Sequence, residues 1–473
     1  MEEQPRKGAR RRRTLIGGAS GLVAGAVAGA ALLALAGVAI AHRLAPAPDE
    51  QPGALIEAAH LPPLLRAAAE RVTLRYDIYC AAPGTDPESG APCDAGGTVY
   101  VRAGESGAYR AIPLRLDAGA AEGRYYAEIP PDLAVSASGF SYYAVVRNNV
   151  SGASLTLPAG GAAAPQRSLP LGQVVTVNLG AHAFGNVRRA DGRVAAAAWG
   201  SGPAEAGLED GPGVQTVGAT AFDVDASGAV TVLDEANKRV LRWMRGARKP
   251  SAVPLEINGT LADMSVAPDG TIYVLETSGP GAATPLLRSF DGSGRAKGSW
   301  HVAERTASEV RIGPSGPVTL QYPSSQWMPA AASGAALDRA DQKAGGRPGR
   351  PLRDGRELLV FRQGNEVRIA LTGPKGARRS WRIESATPIA EVQLAEPLGN
   401  RLVVVLRAYT EDRDEFVALV LDGNGIVGQF SLDSADWAET APLTRFRLAG
   451  SSLYQLGSTP EGMFVDRFDL GVN

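Results

Sequence analysis

Two similar stretches, FDVDASGAVTVL at residues 222–233 and MSVAPDGTIYVL at residues 264–275, decide the fold of this chain. Each has two short apolar runs separated by a turn that contains a glycine, Gly228 in the first copy and Gly270 in the second. This pattern predicts two antiparallel strands joined by a tight turn. The copies begin 42 residues apart, which is close to the repeat length of one propeller blade.

Weaker copies of the same pattern continue toward the C-terminus, at residues 310–320, 358–371, 392–405 and 446–456. Sheets that cannot bury both faces alone can do so by stacking around a common axis. Counting an early strand-rich segment at residues 174–199, we predict five to seven blades, with six as the central value. Residues 170–473 are therefore expected to form a β-propeller.

One copy resembles a known repeat. Residues 230–243, VTVLDEANKRVLRW, are similar to the NHL repeat, in which the second strand runs through an Asp-x-x-Asn turn into the third. Asp234 and Asn237 occupy the two polar positions, and Glu276 replaces the aspartate in the next copy. We interpret Asp234 and Asn237 as side chains that cap a turn rather than bind a ligand.

Residues 71–165 show a different β-rich pattern. Short apolar and aromatic runs, separated by Gly and Pro turns, predict six strands near residues 72–79, 98–101, 109–116, 124–129, 140–146 and 154–157. So many short strands favour a β-sandwich. The segments GRYYAEIP at 123–130 and FSYYAVV at 140–146 resemble immunoglobulin-like or fibronectin type III modules of bacterial surface proteins.

The chain has two cysteines, Cys80 and Cys93, which flank a Pro- and Gly-rich loop between the first two of these strands. We predict that they form a disulfide, which outside the cytoplasm can persist and for a loop of this size contributes about 3 kcal/mol. Two isolated thiols without further ligands do not favour a metal site.

The N-terminal residues predict the compartment. Residues 1–13 form a basic tail, and residues 14–41 are an uncharged run that is long enough to cross a bilayer as a helix. Since the basic cluster precedes the run, the rest of the chain is expected outside the cytoplasm, at the cell membrane. The run is either a retained single-pass signal anchor or a signal peptide cleaved after Ala41. Residues 42–70, which contain five prolines, are interpreted as a linker.

Charge and motifs exclude several function classes. The basic tail carries a net charge of +4, which leaves −5 for the rest of a chain whose total is −1, so there is no electrostatic reason to bind nucleic acid. The sequence has no Gly-x-Ser-x-Gly, no His-Glu-x-x-His and no Gly-Lys pair of a phosphate-binding loop. His182 and His301, the two histidines of the expected propeller, are interpreted as ordinary strand or loop residues.

The channel of a propeller is a common ligand site. In the repeat alignment, the position before each first strand is occupied by Ala221, Asp263, Glu309, Glu391 and Arg445. The three carboxylates and the arginine are predicted to meet at one mouth of the channel, where oxygen ligands could hold a Ca²⁺ ion or a polar ligand. The alternative is a hydrated polar rim without a ligand, in which case no cofactor is expected.

The basic residues of the segment 331–357, among them Arg347, Arg350 and Arg353, are interpreted as part of a surface loop inserted into the propeller.

Two functions fit these features. The first is a membrane-tethered extracytoplasmic binding or scaffold protein, without catalytic activity, that presents its propeller to a protein or glycan. The second is a calcium-dependent hydrolase or lyase with Asp263, Glu309 and Glu391 in the channel.

Overall fold

The computed structural model describes residues 56–67, 70–80, 91–119, 123–158, 160–258, 261–277, 285–302, 306–322, 326–332, 335–336, 349–373 and 378–471. The apolar run at residues 14–41 lies outside these ranges. Within them, no helix is long and apolar enough to cross a membrane. These residues are almost entirely β, with one short helix, α1 (Pro131–Ala134).

The first part of the described chain forms two sheets that share one apolar core, which is a β-sandwich. One sheet contains β1 (Ile56–Ala59), β3 (Thr73–Cys80), β4 (Ala91–Pro92), β7 (Arg115–Leu116) and β8 (Arg124–Glu128). The other contains β2 (Leu65–Arg66), β5 (Ala95–Ala103), β6 (Arg110–Pro113), β9 (Phe140–Asn148), β10 (Ser154–Leu157) and β11 (Gln166–Pro170). The strands predicted in this region are therefore found, with residues 109–116 divided between β6 and β7. The disulfide between Cys80 and Cys93 is confirmed.

The interpretation of residues 42–70 as a linker is wrong from Ile56 onward. Strand β1 pairs antiparallel with β3, and β2 pairs parallel with β11. After β1, the ring of His60 stacks on Tyr76 with 4.2 Å between centroids and meets Tyr142 edge-on. Its Nδ1 lies 2.7 Å from the carbonyl oxygen of Arg75, which can only accept, so Nδ1 carries the proton and Nε2 accepts from the Tyr142 hydroxyl at 2.7 Å.

Residues 174–471 contain six larger sheets that follow one another along the chain, here called blades one to six. Blade one contains β16 (Phe222–Val224), β17 (Val230–Asp234), β18 (Arg239–Trp243) and β19 (Ser251–Pro254); blade two contains β20 (Ala262–Val266), β21 (Ile272–Glu276), β22 (Leu286–Phe290) and β23 (Ala296–His301). Blade three contains β24 (Thr306–Gly313), β25 (Gly316–Tyr322) and β26 (Gln326–Pro329).

Blade four contains β29 (Arg350–Pro351), β30 (Glu357–Gln363), β31 (Glu366–Thr372), β32 (Arg378–Glu384) and β12 (Val174–Asn178). Blade five contains β33 (Ile389–Leu398), β34 (Arg401–Tyr409), β35 (Asp414–Leu421) and β36 (Ile426–Asp433). Blade six contains β37 (Phe446–Ala449), β38 (Ser452–Thr459), β39 (Gly462–Asp469) and β13 (Gly192–Ala198). Two small hairpins are β14 (Glu209–Gly211) with β15 (Val214–Val217), and β27 (Ala331–Ala332) with β28 (Ala335–Ala336).

The inner strands of neighbouring blades contact one another: β16 contacts β20 and β37, β20 contacts β24, and β33 contacts β30 and β37. This is the arrangement of a β-propeller. The repeated hairpins depend on their turns: Gly228 and Gly270 both have a φ of +83°, a conformation that residues with a Cβ rarely adopt. In the first turn, the Asp225 carboxylate accepts hydrogen bonds from the backbone N–H groups of Ser227 and Ala229.

The early segment at residues 174–199, which the sequence suggested as a blade of its own, instead supplies outer strands to two other blades. Strand β12 pairs parallel with β32, and β13 pairs antiparallel with β39. The second pairing joins the start of the propeller to its end. The two strands approach each other closely at Gly462, where a Cβ would lie 2.0 Å from the carbonyl oxygen of Ala197, so the pairing requires glycine at this position.

The interpretation of residues 331–357 as an inserted loop also needs correction. Residues 337–348, including Arg347, lie outside the described ranges. Arg350 belongs to β29 and forms a 2.7 Å ion pair with Glu396, and Leu352 is buried in the core between blades four and five. The end of this segment is therefore part of the fold.

The sandwich packs on blade four. Leu64, Leu65, Leu169 and Leu171 form one apolar cluster with Leu359, Phe361 and Ala370 of β30 and β31. Beside this cluster, the buried guanidinium of Arg368 donates to the carbonyl oxygen of Leu65 at 2.9 Å and to the Glu70 carboxylate at 2.6 Å. A charged hydrogen bond shielded from water fixes orientation as well as adding stability, so the two parts pack in a defined way.

The half-buried His60 gives a test of the sandwich. Burial lowers the pKa of His60 to about 4, and the hydrogen bond to Arg75 offsets only part of this effect. In the unfolded chain the imidazole titrates near 6.5, so between about pH 6.5 and 4 the unfolded state takes up a proton that the folded state excludes. This contribution is fully present above pH 6.5, and up to about 3 kcal/mol of it is lost as the pH falls toward 4.

We expect His60→Asn to remove this part of the pH dependence, as measured by urea denaturation of both proteins across that pH range. Equal pH slopes for the wild-type protein and the variant would contradict the assignment.

Candidate functional site

The residues predicted to line the channel mouth lie on or directly before inner strands. Asp263, Glu309 and Glu391 are in β20, β24 and β33, and Ala221 and Arg445 directly precede β16 and β37. Hydrogen bonds also join matching positions of neighbouring blades. The backbone N–H of Thr444 donates to the carbonyl oxygen of Thr220, and the Thr220 hydroxyl donates to the carbonyl oxygen of Ala262. These bonds put Ala221, Asp263 and Arg445 at equivalent positions of blades one, two and six, whereas Glu309 and Glu391 lie inside β24 and β33 rather than before them.

Asp263 is fully buried and engaged on both carboxylate oxygens. One oxygen accepts from the backbone N–H of Val310 at 2.8 Å and from Nη1 of Arg311 at 2.7 Å, and the other accepts from the Thr444 hydroxyl at 2.5 Å. Arg311 also lies 2.9 Å from Glu309. Burial by itself lowers the pKa of Arg311, but the charges of Asp263 and Glu309 outweigh it and raise the pKa. Asp263 therefore joins blades two, three and six.

A second buried arginine lies in the same part of the propeller. Arg447 donates from Nε to the carbonyl oxygen of Phe222 at 3.0 Å and from Nη2 to that of Met264 at 2.7 Å. Its Nε is 3.5 Å from the Asp223 carboxylate. Burial, followed by the nearby charge of Arg311, lowers the pKa of Arg447. Arg447 thus connects blade six with blades one and two, as Arg311 connects blade three with blade two.

The other two predicted residues have different partners. Arg445 donates to the Asp436 carboxylate at 2.7 Å and lies over the ring of Phe416. Glu391 is 3.6 Å from Arg407, which also pairs with Asp414. The four predicted residues are therefore divided among three sets of ion pairs: Asp263 and Glu309 share Arg311, Glu391 pairs with Arg407, and Arg445 pairs with Asp436.

This geometry gives no support to a calcium site. Among the residues that the structure describes, no group of three or more His, Cys, Asp or Glu side chains is arranged to hold a metal ion. Asp234 and Asn237 are likewise occupied: Asn237 donates to the Asp234 carboxylate at 3.0 Å, and Arg239 pairs with the same carboxylate at 2.7 Å. Their predicted role in holding a turn is confirmed.

The propeller has a groove that the sequence did not predict. Its volume is about 650 Å³, and it lies between the end of blade four and one face of blade five. The crossing segment, residues 179–191, runs from β12 to β13 along its rim. The more deeply buried part of the lining, its floor, is apolar (Leu179, Ile389, Leu406, Ala408 and Val417). The more exposed rim combines polar residues (His182, Asn186, Arg188, Ser385, Gln429 and Ser431) with apolar ones (Ala181, Ala183, Val187 and Phe430).

The crossing segment is held in place by Glu415 of β35. One oxygen of its carboxylate lies 2.8 Å from Nε2 of His182, and the other accepts from the backbone N–H of Gly185 at 2.5 Å. The backbone N–H of His182 donates to the Thr387 hydroxyl at 2.8 Å. Farther along, the backbone N–H of Arg188 donates to the carbonyl oxygen of Ser431 at 2.8 Å. A groove with an apolar floor and a few fixed polar groups is typical of ligand sites.

Sequence reasoning missed this groove because it treated residues 174–199 as one blade and His182 as an ordinary residue. One signal was present: the two strand patterns in that segment are separated by too many residues for a hairpin turn. That separation indicates that the strands belong to different sheets.

No family model and no curated protein match the chain. Among solved structures, virginiamycin B lyase from Staphylococcus aureus is similar over 53% of this chain and 94% of its own, with 10% identity and a TM-score of 0.33. YCF48 bound to D1 peptide is similar over 54% and 79%, with 12% identity and a TM-score of 0.29. Similarities this weak carry no argument about function, and the propeller assignment rests on the strand pairing.

The role of Asp263 can be tested directly. Replacing it with Asn removes the charge that compensates Arg311, and leaving one member of a buried ion pair alone costs about 3–5 kcal/mol. We expect Asp263→Asn to lose that much unfolding free energy in chemical denaturation, whereas Glu309→Gln, at a partly exposed position, should lose about 1 kcal/mol or less.

Calcium chloride should leave the melting temperature of the wild-type protein unchanged, because both Asp263 oxygens already have partners. A calcium-dependent increase that disappears in Asp263→Asn would instead support a metal site.

Proposed function

We propose that this chain is a membrane-tethered extracytoplasmic binding protein, whose six-bladed propeller presents the groove between blades four and five to a protein or glycan ligand. The observation that carries the proposal is the groove itself, with its apolar floor and the polar groups on its rim. The sandwich, which packs on blade four through the Arg368 contacts, serves as a spacer between membrane and propeller.

Binding is favoured over hydrolysis because the carboxylates that a metal-dependent enzyme would use are engaged elsewhere. Asp263 and Glu309 neutralise Arg311, and Glu391 lies beside Arg407. No specific observation favours the hydrolase or lyase hypothesis. We further propose that the sandwich is immunoglobulin-like and that the blades are degenerate NHL repeats.

The extracytoplasmic location is supported by two features of the chain. The apolar run at residues 14–41 follows a basic cluster, which predicts export of the rest. The disulfide between Cys80 and Cys93 is of a kind that persists in oxidising compartments and is rare in the cytosol.

Thiol labelling tests the location. We expect the protein from membranes, denatured without reductant, to bind no maleimide at Cys80 or Cys93, and to bind it at both after reduction. An external protease added to cells with a permeable outer envelope should digest the sandwich and propeller but spare residues 1–13. Recovery of a soluble cytosolic product with two free thiols would refute the location.

A groove variant tests the binding function. Asn186 is an exposed rim residue, so Asn186→Trp obstructs the groove without entering the core. We expect envelope components captured by the wild-type protein to fall at least about tenfold with this variant, a loss of about 1.4 kcal/mol in binding. Met244→Trp, at an exposed position on blade one, is the matched control and should capture normally. Equal capture by both variants would contradict a role for the groove.

A further inference from the structure

The groove opens beside an outer strand whose edge is unusually exposed. Strand β36 is the last strand of blade five, and among the described residues its outer side is met near its end, by the bridge between Val187 and Ser431 and by Gln455, which donates to the carbonyl oxygen of Asp433 at 2.7 Å. Toward the start of the strand, Ile426 is 39% exposed and Val427 is 45% exposed. The start of this edge strand therefore has two apolar side chains in solvent, whereas Phe430 is half-buried under the guanidinium of Arg188.

Outer strands usually carry features that prevent another strand from pairing with them, such as lysine, arginine or proline. In this propeller, β13 has Arg193, β23 has Lys297, and β19 and β26 end in proline. Strands β12 and β36 have no lysine, arginine or proline, and the protection that β36 has is a β-bulge at its start, between Ile426 and Gly428. Of the two, only β36 contributes its own residues, Gln429, Phe430 and Ser431, to the lining of the groove.

The edge of β36 is able to accept a partner. The carbonyl oxygen of Ser431 points outward, because it accepts from the backbone N–H of Arg188 in the crossing segment. Backbone groups alternate in direction along a strand, so Gln429 directs its N–H and C=O to the same side. The crossing segment leaves β36 after Ser431, so it does not cover the outward groups of Gln429. Nearer to the start of the strand, a β-bulge shifts the register between Gly428 and Ile426, and the regular alternation ends there.

We propose that β36 binds an extended peptide of a partner protein as an added strand, with one apolar side chain of the peptide in the groove. This inference rests on the proposed binding function and names the ligand class. A row of outward N–H and C=O groups is matched by another polypeptide backbone, whereas a glycan offers no such row. The groove beside Gln429 and Ser431 takes an alternate side chain of the added strand, and its apolar floor selects Leu, Ile, Val, Phe or Met.

The test uses the full-length protein in detergent micelles and a displayed library of linear peptides as the probe. We expect selection on the wild-type protein to yield peptides with an apolar residue flanked by extended, β-branched sequence. Their affinity should fall at least about tenfold for Val427→Lys, which places a charge on the edge. Met244→Lys, the same change at an exposed position on blade one, should bind them normally.

N-methylated peptides then test whether the peptide backbone pairs with β36, and this test needs no protein variant. Two synthetic versions of each selected peptide are compared, each with N-methyl groups on every second residue. In one version the methylated amides face β36, and in the other they face away from it. Methylation of the set that faces β36 should weaken binding at least about tenfold, since each methyl group removes a hydrogen bond to the strand, and methylation of the other set should not. Amide hydrogen exchange of residues 426–430 should slow when the unmodified peptide binds.

The other outcomes overturn the inference in distinguishable ways. Peptides that tolerate both methylation patterns would exclude strand addition but leave the groove as their site. If no peptide is selected while Asn186→Trp still abolishes capture of envelope components, then the ligand is not a peptide, and the binding function itself stands. If capture is also insensitive to Asn186→Trp, both proposals fail.

Discussion

A ring of small sheets is stable only if the ring closes, and in this protein closure depends on the backbone pairing between β13 and β39. That pairing brings residues 192–198 against residues 462–467, so two parts of the chain about 270 residues apart share one sheet. Without it, blade six would have an unpaired edge and its core with blade one would be open to water. Since Phe222 and Val232 of blade one share a core with Tyr454 and Val465 of blade six, the closure also buries apolar surface.

Buried charges connect the inner strands, in addition to the apolar cores between the blades. Arg311 and Arg447 cross between blades and satisfy carbonyl oxygens and carboxylates that converge there. Buried charges are tolerated only when each is paired and hydrogen-bonded. This requirement explains why residues with the chemistry of a metal or substrate site, above all Asp263, are already occupied, and why the candidate ligand site lies at the rim instead.

The groove follows from the way in which the chain closes the ring. Strand β12 joins blade four and β13 joins blade six, so the crossing segment between them must pass over blade five. His182 and Gly185 attach this segment to Glu415, and Arg188 reaches the edge of β36. Closure therefore creates a covered space beside a strand whose edge remains partly exposed, and one structural requirement produces both the stability of the propeller and its candidate binding surface.

Much of the fold could be predicted from the sequence, because hairpins are local. The turns at Gly228 and Gly270 and the alternating apolar residues around them require only neighbouring residues, and so do the sandwich strands and the Asp234–Asn237 turn. The proximity of Cys80 and Cys93 follows from a short loop. The repeat alignment also placed Asp263 and Arg445 at equivalent positions of two blades, on or directly before the inner strand.

What the sequence could not determine depends on partners far along the chain. Whether a carboxylate such as Asp263 is free or bound to Arg311 depends on the geometry between blades, and no local pattern encodes it. The destinations of β12 and β13, the strands at residues 56–66 and the groove under the crossing segment arise from pairings across tens to hundreds of residues. Periodicity identifies strands, but only the closed ring selects which strands meet, because every exposed edge can in principle accept any other.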